Sequence, residues 1–313
     1  MNQVINQHGA LSSKASRWTR TFVLRLAFYF LLCALSFIFL YPFITMIVKS
    51  LMTDDDLVNI TVKWLPTKLE WENYAISFRR MRFKAYVWNN VLVCAVATIG
   101  HIFSCALTGY AFARYNFKLK GPLFVIVILM MIVPVQVIIF PLYKQYSDWH
   151  WLDTFLPLTI PTFFGFGLSG GFYIFLFRQF FMGLPYEMEE AARVDGCGPI
   201  RTYVRIMLPM SSAPTLVCGV LSLVWHWNDY VEPGIYIHDR DLRMLPSLLP
   251  GLYSLINQEN HDMIANNDLE GIIYNEAMFM AAIFLCILPI LIAYLFLQRR
   301  FMEGVERSGL TGL

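Results

Sequence analysis

Six windows of this sequence carry no charged side chain, and each is long enough to cross a membrane as a helix. They are Leu26–Val48, Val87–Ala113, Gly121–Tyr143, Phe155–Phe177, Ile206–Asn228 and Ala277–Gln298. An α-helix needs about 20 residues to cross the hydrocarbon core of a bilayer, which is about 30 Å thick. Backbone N–H and C=O groups cannot stay unpaired in hydrocarbon, and a helix pairs them within one segment. The windows therefore predict six transmembrane helices.

The low content of charged residues favours this interpretation over a soluble helical protein. Charged residues make up 15% of the 313 residues and hydrophobic residues 57%, with a mean hydropathy of +0.53. A soluble domain carries about 25% charged residues, so six buried helices would leave too little polar surface to cover them. The predicted fold class is therefore all-α, a polytopic membrane protein with six transmembrane helices. The net charge of +2 is too small to favour binding to nucleic acid.

An even number of spans places both termini on the same side of the membrane. The short loops indicate which side, because cytoplasmic loops are enriched in lysine and arginine. Arg114, Lys118 and Lys120 lie between the second and third windows, whereas Lys144 is the only lysine or arginine between the third and fourth. We therefore predict that both termini are cytoplasmic.

The predicted organisation is one membrane domain with short extramembrane segments. Residues 1–25 form a cytoplasmic N-terminal segment, residues 26–298 the six-span domain with a charged cytoplasmic loop at 178–210, and residues 299–313 a cytoplasmic tail. The first outer segment carries the basic run Arg79–Lys84, which conflicts with the charge bias. This run is either an interfacial helix that contacts lipid headgroups or a partner protein, or a solvated helix face.

The charged loop between the fourth and fifth windows has the features of a short helix followed by a turn. Glu187, Glu189 and Glu190 precede Ala191, where they favour the positive N-terminal end of a helix dipole. Ala191 and Ala192 favour a helix and, being small, let another surface approach closely. Gly196 can adopt the left-handed conformation that ends a helix and turns the chain. A second helical piece, Pro199–Met207, is then predicted to lead into the fifth span.

The same loop carries the spacing of a known signature: Glu-Ala-Ala, three residues, Gly, nine residues, Ile, one residue and Leu-Pro. The chain has the signature residue at every fixed position, Glu190, Ala191, Ala192, Gly196, Ile206, Leu208 and Pro209. The pattern resembles that of the membrane subunits of bacterial ABC importers. In that family the loop forms a coupling helix that sits in a cleft of the ATP-hydrolysing subunit. The resemblance implies that Glu190 and Ala191 anchor this helix and that Gly196 sets its bend.

The resemblance covers most of the chain. Within the family, the chain is similar to permeases of the maltose, oligosaccharide and glycerol-phosphate branch, and to the shorter of the two permease types found there. It includes Asn73–Tyr74, Trp88–Asn90, Trp225–Tyr230 and the tail Gln298–Gly304. It implies the type I permease fold of ABC importers and a location in the bacterial inner membrane. The ending after Gly304 departs from the usual pattern, which leaves the solute open.

The resemblance also implies a set of partners. These are a second, related permease subunit, two ATP-binding subunits, an extracytoplasmic solute-binding protein, a carbohydrate substrate and membrane lipid. The sequence has no Gly-x-x-x-x-Gly-Lys-Ser/Thr phosphate loop, so ATP is expected to be used by the partner subunits and not by this chain. It also lacks the zinc-helix and nucleophile-turn motifs. We therefore predict no catalytic, cofactor-binding or metal site.

Six polar side chains within the windows are candidates to pair with the hydroxyl groups of a sugar. They are Asn89, Asn90, His101, Gln136, Ser169 and Asn228. Gln136 lies between Pro134 and Pro141, where a kinked helix would turn it toward a pore, whereas His101 is interpreted as a hydrogen-bonded packing residue. Trp225 and its aromatic neighbours either stack on sugar rings or form an interfacial aromatic belt.

Two other classes of protein explain less of the sequence than the importer does. A secondary transporter explains the spans but not the signature, and no window contains the paired carboxylates that proton or sodium coupling usually requires. A polytopic membrane enzyme would need a cluster of catalytic polar residues, and the sequence offers none. Within the importer interpretation, another solute such as glycerol phosphate stays an alternative to a carbohydrate.

Overall fold

A computed structural model describes residues 2–59, 61–62, 64–251 and 275–310. Within this part of the chain every regular element is a helix. The α-helices are α1 (Asn2–Ser50), α2 (Asp54–Val58), α3 (Glu72–Arg80), α4 (Phe83–Arg114), α5 (Lys120–Ile132), α6 (Val135–Asp148), α7 (Leu156–Thr159), α8 (Gly170–Gly183), α9 (Glu187–Val194), α10 (Pro199–Thr202), α11 (Leu208–Met210), α12 (Ser212–Asn228), α13 (Val231–Tyr236), α14 (residues 245–251) and α15 (Glu276–Leu310). The prediction of an all-α protein is confirmed for these residues.

Two short segments have other helical geometries. A 3₁₀ helix covers Ile160–Phe164, and a π-helix covers Tyr203–Met207. The π-helix lies between α10 and α11 and overlaps the start of the fifth predicted span. A π-turn inside a helix is uncommon and often lies at a functional site.

The chain divides into two compact units. The first consists of Met1–Asn73 with Asn275–Ala281 and contains α1, α2 and the start of α15. Inside it, the buried amide of Asn73 donates hydrogen bonds to the backbone carbonyls of Ser50 (3.1 Å) and Met52 (3.0 Å). These bonds fix the chain that follows the C-terminal end of α1.

The second unit consists of Tyr74–Tyr274 with Ala282–Leu313, and α4 lies at its centre, packed against α8 and α12. The contact between α4 and α8 is close because Gly109 has no side chain. A Cβ atom at Gly109 would lie 2.6 Å from the Cβ of Phe177 and 2.9 Å from the backbone nitrogen of Arg178. The backbones of these two helices therefore touch, as is common where small residues lie between membrane helices.

Three helices are long and apolar enough to cross a membrane, judged by length and composition within the described residues. They are Thr21–Ser50, Phe83–Arg114 and Glu276–Arg299. Two pairs pass the same test together but are bent, α5 with α6 by 103° and the segment Pro199–Met210 with α12 by 74°. These helices correspond to five of the predicted windows, and the count of six spans stays a prediction.

The prediction that Phe155–Phe177 forms one continuous helix is wrong. The window begins with α7 and the 3₁₀ helix, is interrupted by a turn, and continues as α8. Gly165, Gly167 and Ser169 in the turn have positive φ angles of 71°, 104° and 61°. Such angles belong to the left-handed region, which is incompatible with a right-handed helix and favours glycine. Absence of charge identified an apolar segment here but not the break within it.

The third window is broken as well, at the proline that the sequence singled out. The helix α5 ends at Ile132, and Pro134 is the extended residue before α6. Proline has no N–H to donate and disfavours helix at the residue before it. The predicted kink is therefore confirmed, with α5 and α6 meeting at 103°.

Three helices of the second unit share an unusual start. The residue before α4 is Arg82, that before α5 is Leu119 and that before α8 is Ser169, with φ angles of 48°, 65° and 61°. None of these side chains caps the helix that follows. For residues with a Cβ atom this conformation costs about 1–2 kcal/mol.

Candidate functional site

The 178–210 loop forms the helix–turn–helix that its sequence predicts. The first helix is α9, and its first turn carries Glu187, Glu189 and Glu190. Negative side chains at this end are favourable because the unpaired N–H groups of a helix N-terminus carry partial positive charge. The acidic residues and the two alanines that follow thus account for a helix at this point of the chain.

A glycine turn ends α9 as predicted. Gly196 has a φ angle of 78°, and no atom would lie within 4 Å of a Cβ added there. The N–H of Gly196 donates to the carbonyl of Arg193 (3.0 Å), and the N–H of Cys197 donates to that of Ala192 (2.9 Å). These two bonds form a Schellman motif, the usual end of a helix at a left-handed residue. Because the surroundings are open, only backbone conformation requires glycine here.

The signature residues separate into an exposed group and a packed group. Glu190, Ala191 and Gly196 are exposed, whereas Ala192 is buried with 3% of its surface accessible. Only Ala191 of the two alanines therefore presents its small side chain outward. The contact of this exposed surface with a partner stays a prediction.

The second half of the signature lies where the loop joins the membrane helices. Ile206 and Leu208 are half-buried and pack against the hydrophobic cluster that contains Tyr203 and Met207. Pro209 lies in the first turn of α11, where its missing N–H leaves no helical hydrogen bond unmade. Ile206 and Leu208 thus attach the loop to the hydrophobic cluster, whereas Pro209 is exposed.

A buried ion pair connects the loop to the end of α4. The Nε of Arg114, the last residue of α4, lies 2.9 Å from Oε1 of Glu189, and the two side chains are 0% and 4% exposed. Arg114 Nη2 also donates a 2.7 Å hydrogen bond to the carbonyl of Leu184, and its guanidinium lies 4.3 Å from the ring centre of Tyr186. One arginine thus contacts the chain before α9, the residue at its N-cap and its first turn.

The same end of α4 also contacts the second half of the loop. The ring of Tyr110 lies 5.1 Å from that of Tyr203 in the π-helix and 5.4 Å from that of Phe181 in α8. Tyr110 and Phe181 are buried in one hydrophobic cluster with Phe177. Aromatic pairs at such distances are stabilising beyond the area that they bury.

A cavity of about 720 Å³ lies where the broken helices meet. Its lining includes Gln136 just after the α5–α6 bend, Ser169 from the turn before α8, and Trp225 from α12. Phe172 and Tyr173 add aromatic surface, and among the described residues that line the cavity none is charged. Ligand pockets typically have volumes of about 300–1,000 Å³ and a few polar groups in an apolar lining. Three of the residues considered from the sequence are thus brought together.

His101 lies behind that lining, with its ring 5.1 Å from that of Tyr173, in a polar cluster between α4 and α12. It is fully buried, and its Nδ1 lies 3.1 Å from Oγ of Ser222, which also receives a hydrogen bond from the hydroxyl of Thr98 (3.2 Å). The ring of His226 lies 5.2 Å from that of His101. The interpretation of His101 as a hydrogen-bonded packing residue is therefore confirmed.

Asn89 has a different role from the one proposed for polar residues in the windows. Its amide donates hydrogen bonds to the backbone carbonyls of Asp241 (2.9 Å) and Arg243 (3.0 Å). Arg82, in the basic run, pairs with the carboxylate of Asp241 at 2.6 Å, and both side chains are largely exposed. Asn89 and Arg82 therefore hold the segment after α13.

Two carboxyl groups follow α12. Asp229 Oδ1 accepts hydrogen bonds from the backbone N–H groups of Val231 (3.0 Å) and Glu232 (3.3 Å), at the start of α13. Burial raises the pKa of Glu232, and the charge of Asp229 raises it further. Burial also raises the pKa of Asp229, against the effect of its backbone hydrogen bonds. The two groups therefore resist carrying charge at the same time.

Comparison with known proteins identifies the family of this chain. Residues 105–307 match the family described as binding-protein-dependent transport system inner membrane component. The chain belongs to this family. The match includes α8, the 178–210 loop and α12, so the loop with its exposed signature residues is part of an inner-membrane transport component.

Two relatives match this chain over most of its length and over most of their own length. The arabinooligosaccharides transport system permease protein AraQ of Bacillus subtilis (strain 168) is 27% identical over 296 residues, which are 93% of this chain and 97% of AraQ. The sn-glycerol-3-phosphate transport system permease protein UgpE of Yersinia enterocolitica is 27% identical over 275 residues, 86% of this chain and 91% of UgpE. Both relatives are named as permeases of transport systems.

A solved structure has the same fold. It is described as a bacterial ABC transporter involved in the import of the acidic polysaccharide alginate. One of its chains aligns with a TM-score of 0.72 and 19% sequence identity, covering 89% of this chain and 96% of that chain. The inner-membrane component described here therefore has the fold of an ABC importer permease.

The sequence identified the exposed signature but not the residues beneath it. The sequence places Arg114 directly after an apolar window and Glu189 among the acidic residues before Ala191, and no motif in it connects the two. One feature of the sequence could have indicated the pairing. An arginine at the end of a long apolar helix is rarely buried without an acidic partner, and acidic residues lie beside the signature. Their pairing across 75 positions of sequence is visible only in the folded chain.

Proposed function

We propose that this chain is one of two permease subunits of an ABC importer that brings a carbohydrate into the cell. In the proposed transporter, a binding protein delivers the solute. Each of two separate ATP-binding subunits presses on the coupling loop of one permease, which in this chain is the 178–210 loop. The second permease is a related but different chain. The observation that carries the proposal is the projecting turn of α9 and Gly196, with Glu190 and Ala191 exposed on it, in a chain of this transport family.

The proposed membrane arrangement has six crossings with both termini in the cytoplasm. Three are single long helices and two are the bent pairs. The sixth is the broken segment from α7 to α8, whose non-helical turn lines the cavity. Irregular backbone is tolerated at membrane depth where it borders protein or a water-filled cavity, so this break is compatible with a crossing.

The cavity supports a neutral carbohydrate over a phosphorylated solute. Its lining offers the amide of Gln136, the hydroxyl of Ser169 and the ring of Trp225. Amide and hydroxyl groups pair with sugar hydroxyls, and aromatic faces cover the apolar faces of sugar rings. A phosphate is usually bound by arginine or lysine, and among the described lining residues there is neither. AraQ is named for arabinooligosaccharides, and UgpE, named for glycerol phosphate, supplies the alternative.

The test is ATP-driven uptake by the complete transporter in vesicles, with Glu190→Lys as the variant. Labelled arabinotriose and labelled glycerol 3-phosphate are the two solutes supplied with the binding protein. We expect wild-type uptake of the sugar only, and none by Glu190→Lys although the protein still inserts. Glu187→Lys is the matched control, since Glu187 is also an exposed acid in the first turn of α9 but lies outside the signature.

Two results would contradict the proposal. Uptake by Glu190→Lys at the wild-type rate would rule out coupling through this surface. Uptake of either solute by vesicles that contain this chain without nucleotide would show that it is not part of an ATP-driven importer. Import of glycerol 3-phosphate instead of the sugar would retain the coupling mechanism and replace the solute.

A further inference from the structure

The ion pair between Arg114 and Glu189 joins the C-terminal end of α4 to the first turn of α9. Both groups are almost inaccessible to solvent. Each also has a favourable place on its helix, because a cation is favoured at a C-terminal end and an anion at an N-terminal end. The Nε of Arg114 and the Oε1 of Glu189 are not aligned as a hydrogen bond, so the pair is held by charge. Opposite charges 2.9 Å apart attract strongly where water is excluded, so the pair holds the ends of α4 and α9 close together.

From Arg114 the connection continues into the membrane helices. The helix α4 touches α8 at Gly109 and is joined to α12 by the hydrogen bond between Thr98 and Ser222. Along α4, Tyr110 contacts Tyr203 in the second half of the loop. A displacement of α9 that reaches α4 would therefore reach α8 and α12 as well.

We propose that Arg114 is a positioning residue that transmits movement of α9 to α4. This inference rests on the proposed function, because it assumes that a partner moves α9. Arg114 lies outside the signature, and its buried side chain is not part of the exposed surface that would contact that partner. The path runs from α9 through Glu189 and Arg114 into α4, so α9 and α4 move together when nucleotide binds.

The chain provides a matched control for the charge of this arginine. Arg193 Nη2 lies 4.0 Å from the other carboxylate oxygen of Glu189, but its side chain is 67% exposed. An exposed pair of this kind contributes little. Arg193→Met and Arg114→Met thus remove the same group from the same carboxylate, once at the surface and once in the buried contact.

The deciding measurement is the distance between α9 and α4 in the complete transporter. Spin labels are attached at Val194→Cys and Ile99→Cys, both exposed positions, after the native cysteines are replaced. The distance distribution is recorded without nucleotide and with ATP and vanadate. We expect one unchanged distribution in the wild type and in Arg193→Met, and a shifted or broader one on ATP binding in Arg114→Met.

A second variant separates transmission from folding. Arg114→Met leaves the carboxylate of Glu189 buried without its partner, which destabilises a protein strongly. In Arg114→Met/Glu189→Met no buried charge is left unpaired, and such replacements are often neutral for stability. We expect the double variant to assemble and to show the same altered distance on ATP binding. Unchanged distributions in both variants would overturn the inference.

Transport provides an independent readout. The quantity is labelled arabinotriose imported per ATP hydrolysed, which does not depend on how much transporter assembles. We expect a loss of about tenfold in Arg114→Met and in the double variant, within the range of typical coupling between two sites. A wild-type ratio in both, with Glu190→Lys still inactive, would overturn this inference and leave the proposed function intact. If instead Glu190→Lys were normal, the proposed function itself would fail.

Discussion

The side-chain amide of Asn89 donates a 2.9 Å hydrogen bond to the backbone carbonyl of Asp241, 152 positions later in the chain. A second bond from the same nitrogen goes to the carbonyl of Arg243. We expect Asn89→Ala to lower the free energy of unfolding by about 1–3 kcal/mol, because it removes two hydrogen bonds that each contribute about 0.5–1.5 kcal/mol. Hydrogen exchange should become faster in residues 239–243. Exchange as slow as in the wild type would contradict this role, and Asn116→Ala, at an exposed asparagine, is the control.

Gly196 is predicted to be required for its backbone conformation alone. Since no atom would lie near an added Cβ, Gly196→Ala should cost about 1–2 kcal/mol through left-handed strain. Gly196→Asn should cost less, because asparagine tolerates this conformation, and Gly196→Val should cost more. The measurement is thermal unfolding together with ATP-driven uptake. Gly198→Ala is the control, as Gly198 has a φ of −72° and equally open surroundings, and equal effects at both glycines would refute the argument.

Gly109 is predicted to be required for space. A methyl group there would overlap the backbone of α8, so Gly109→Ala should destabilise the protein by about 1–3 kcal/mol, as overpacked cores do. Gly219→Ala adds the same methyl group to α12, where the nearest atom would be Ile102 Cδ1 at an ordinary 3.5 Å. Thermal unfolding of both variants in detergent measures the difference. Similar unfolding temperatures would show that α4 and α8 are not in tight contact.

Gln136 is predicted to contact the solute. If its amide pairs with a sugar hydroxyl in the cavity, Gln136→Leu should raise the half-saturating sugar concentration by about tenfold, which corresponds to 1.4 kcal/mol. Val137→Ala is the control, since Val137 follows Gln136 on α6 and does not line the cavity. ATP hydrolysis without sugar should be unaffected in both. An unchanged half-saturating concentration in Gln136→Leu would remove this residue from the pathway.

The carboxyl pair after α12 predicts a pH dependence of stability. The folded-state pKa of Glu232 is raised above its usual 4.5 by burial and by Asp229, so the folded protein holds this proton more tightly than the unfolded chain. Its contribution to stability is therefore fully present below pH 4.5 and is lost as the pH rises through the folded-state value. Glu232→Gln should flatten this decline, measured as unfolding temperature between about pH 5 and 8. Parallel pH profiles for wild type and variant would contradict it.

The sequence predicted where the long helices lie because charges bracket them. The second window, Val87–Ala113, falls within α4, and the last, Ala277–Gln298, falls within α15. The free-energy cost of placing a charged side chain in lipid depends on the residue type, so it can be read from the sequence. For the same reason charge did not report the break at residues 165–169, which depends on backbone conformation in an equally apolar stretch.

Local chemistry also predicted the shape of the loop. Acidic residues, alanines and a glycine in that order specify a short helix and its end, and the structure has α9 and the turn at Gly196. Which alanine faces outward was not predictable, because the burial of Ala192 depends on the membrane helices beneath it. The pairing of Arg114 with Glu189 was not predictable for the same reason, because it depends on how distant parts of the chain pack together.

The left-handed residue before α5 has a practical consequence. Leu119 holds a strained backbone with a side chain that is 68% exposed, so nothing in the described structure requires its branched side chain there. Glycine adopts this conformation without the Cβ conflict. A more robust form of the protein, suited to purification in detergent, would begin with this one exposed position and leave the cavity, the loop and the buried arginine untouched.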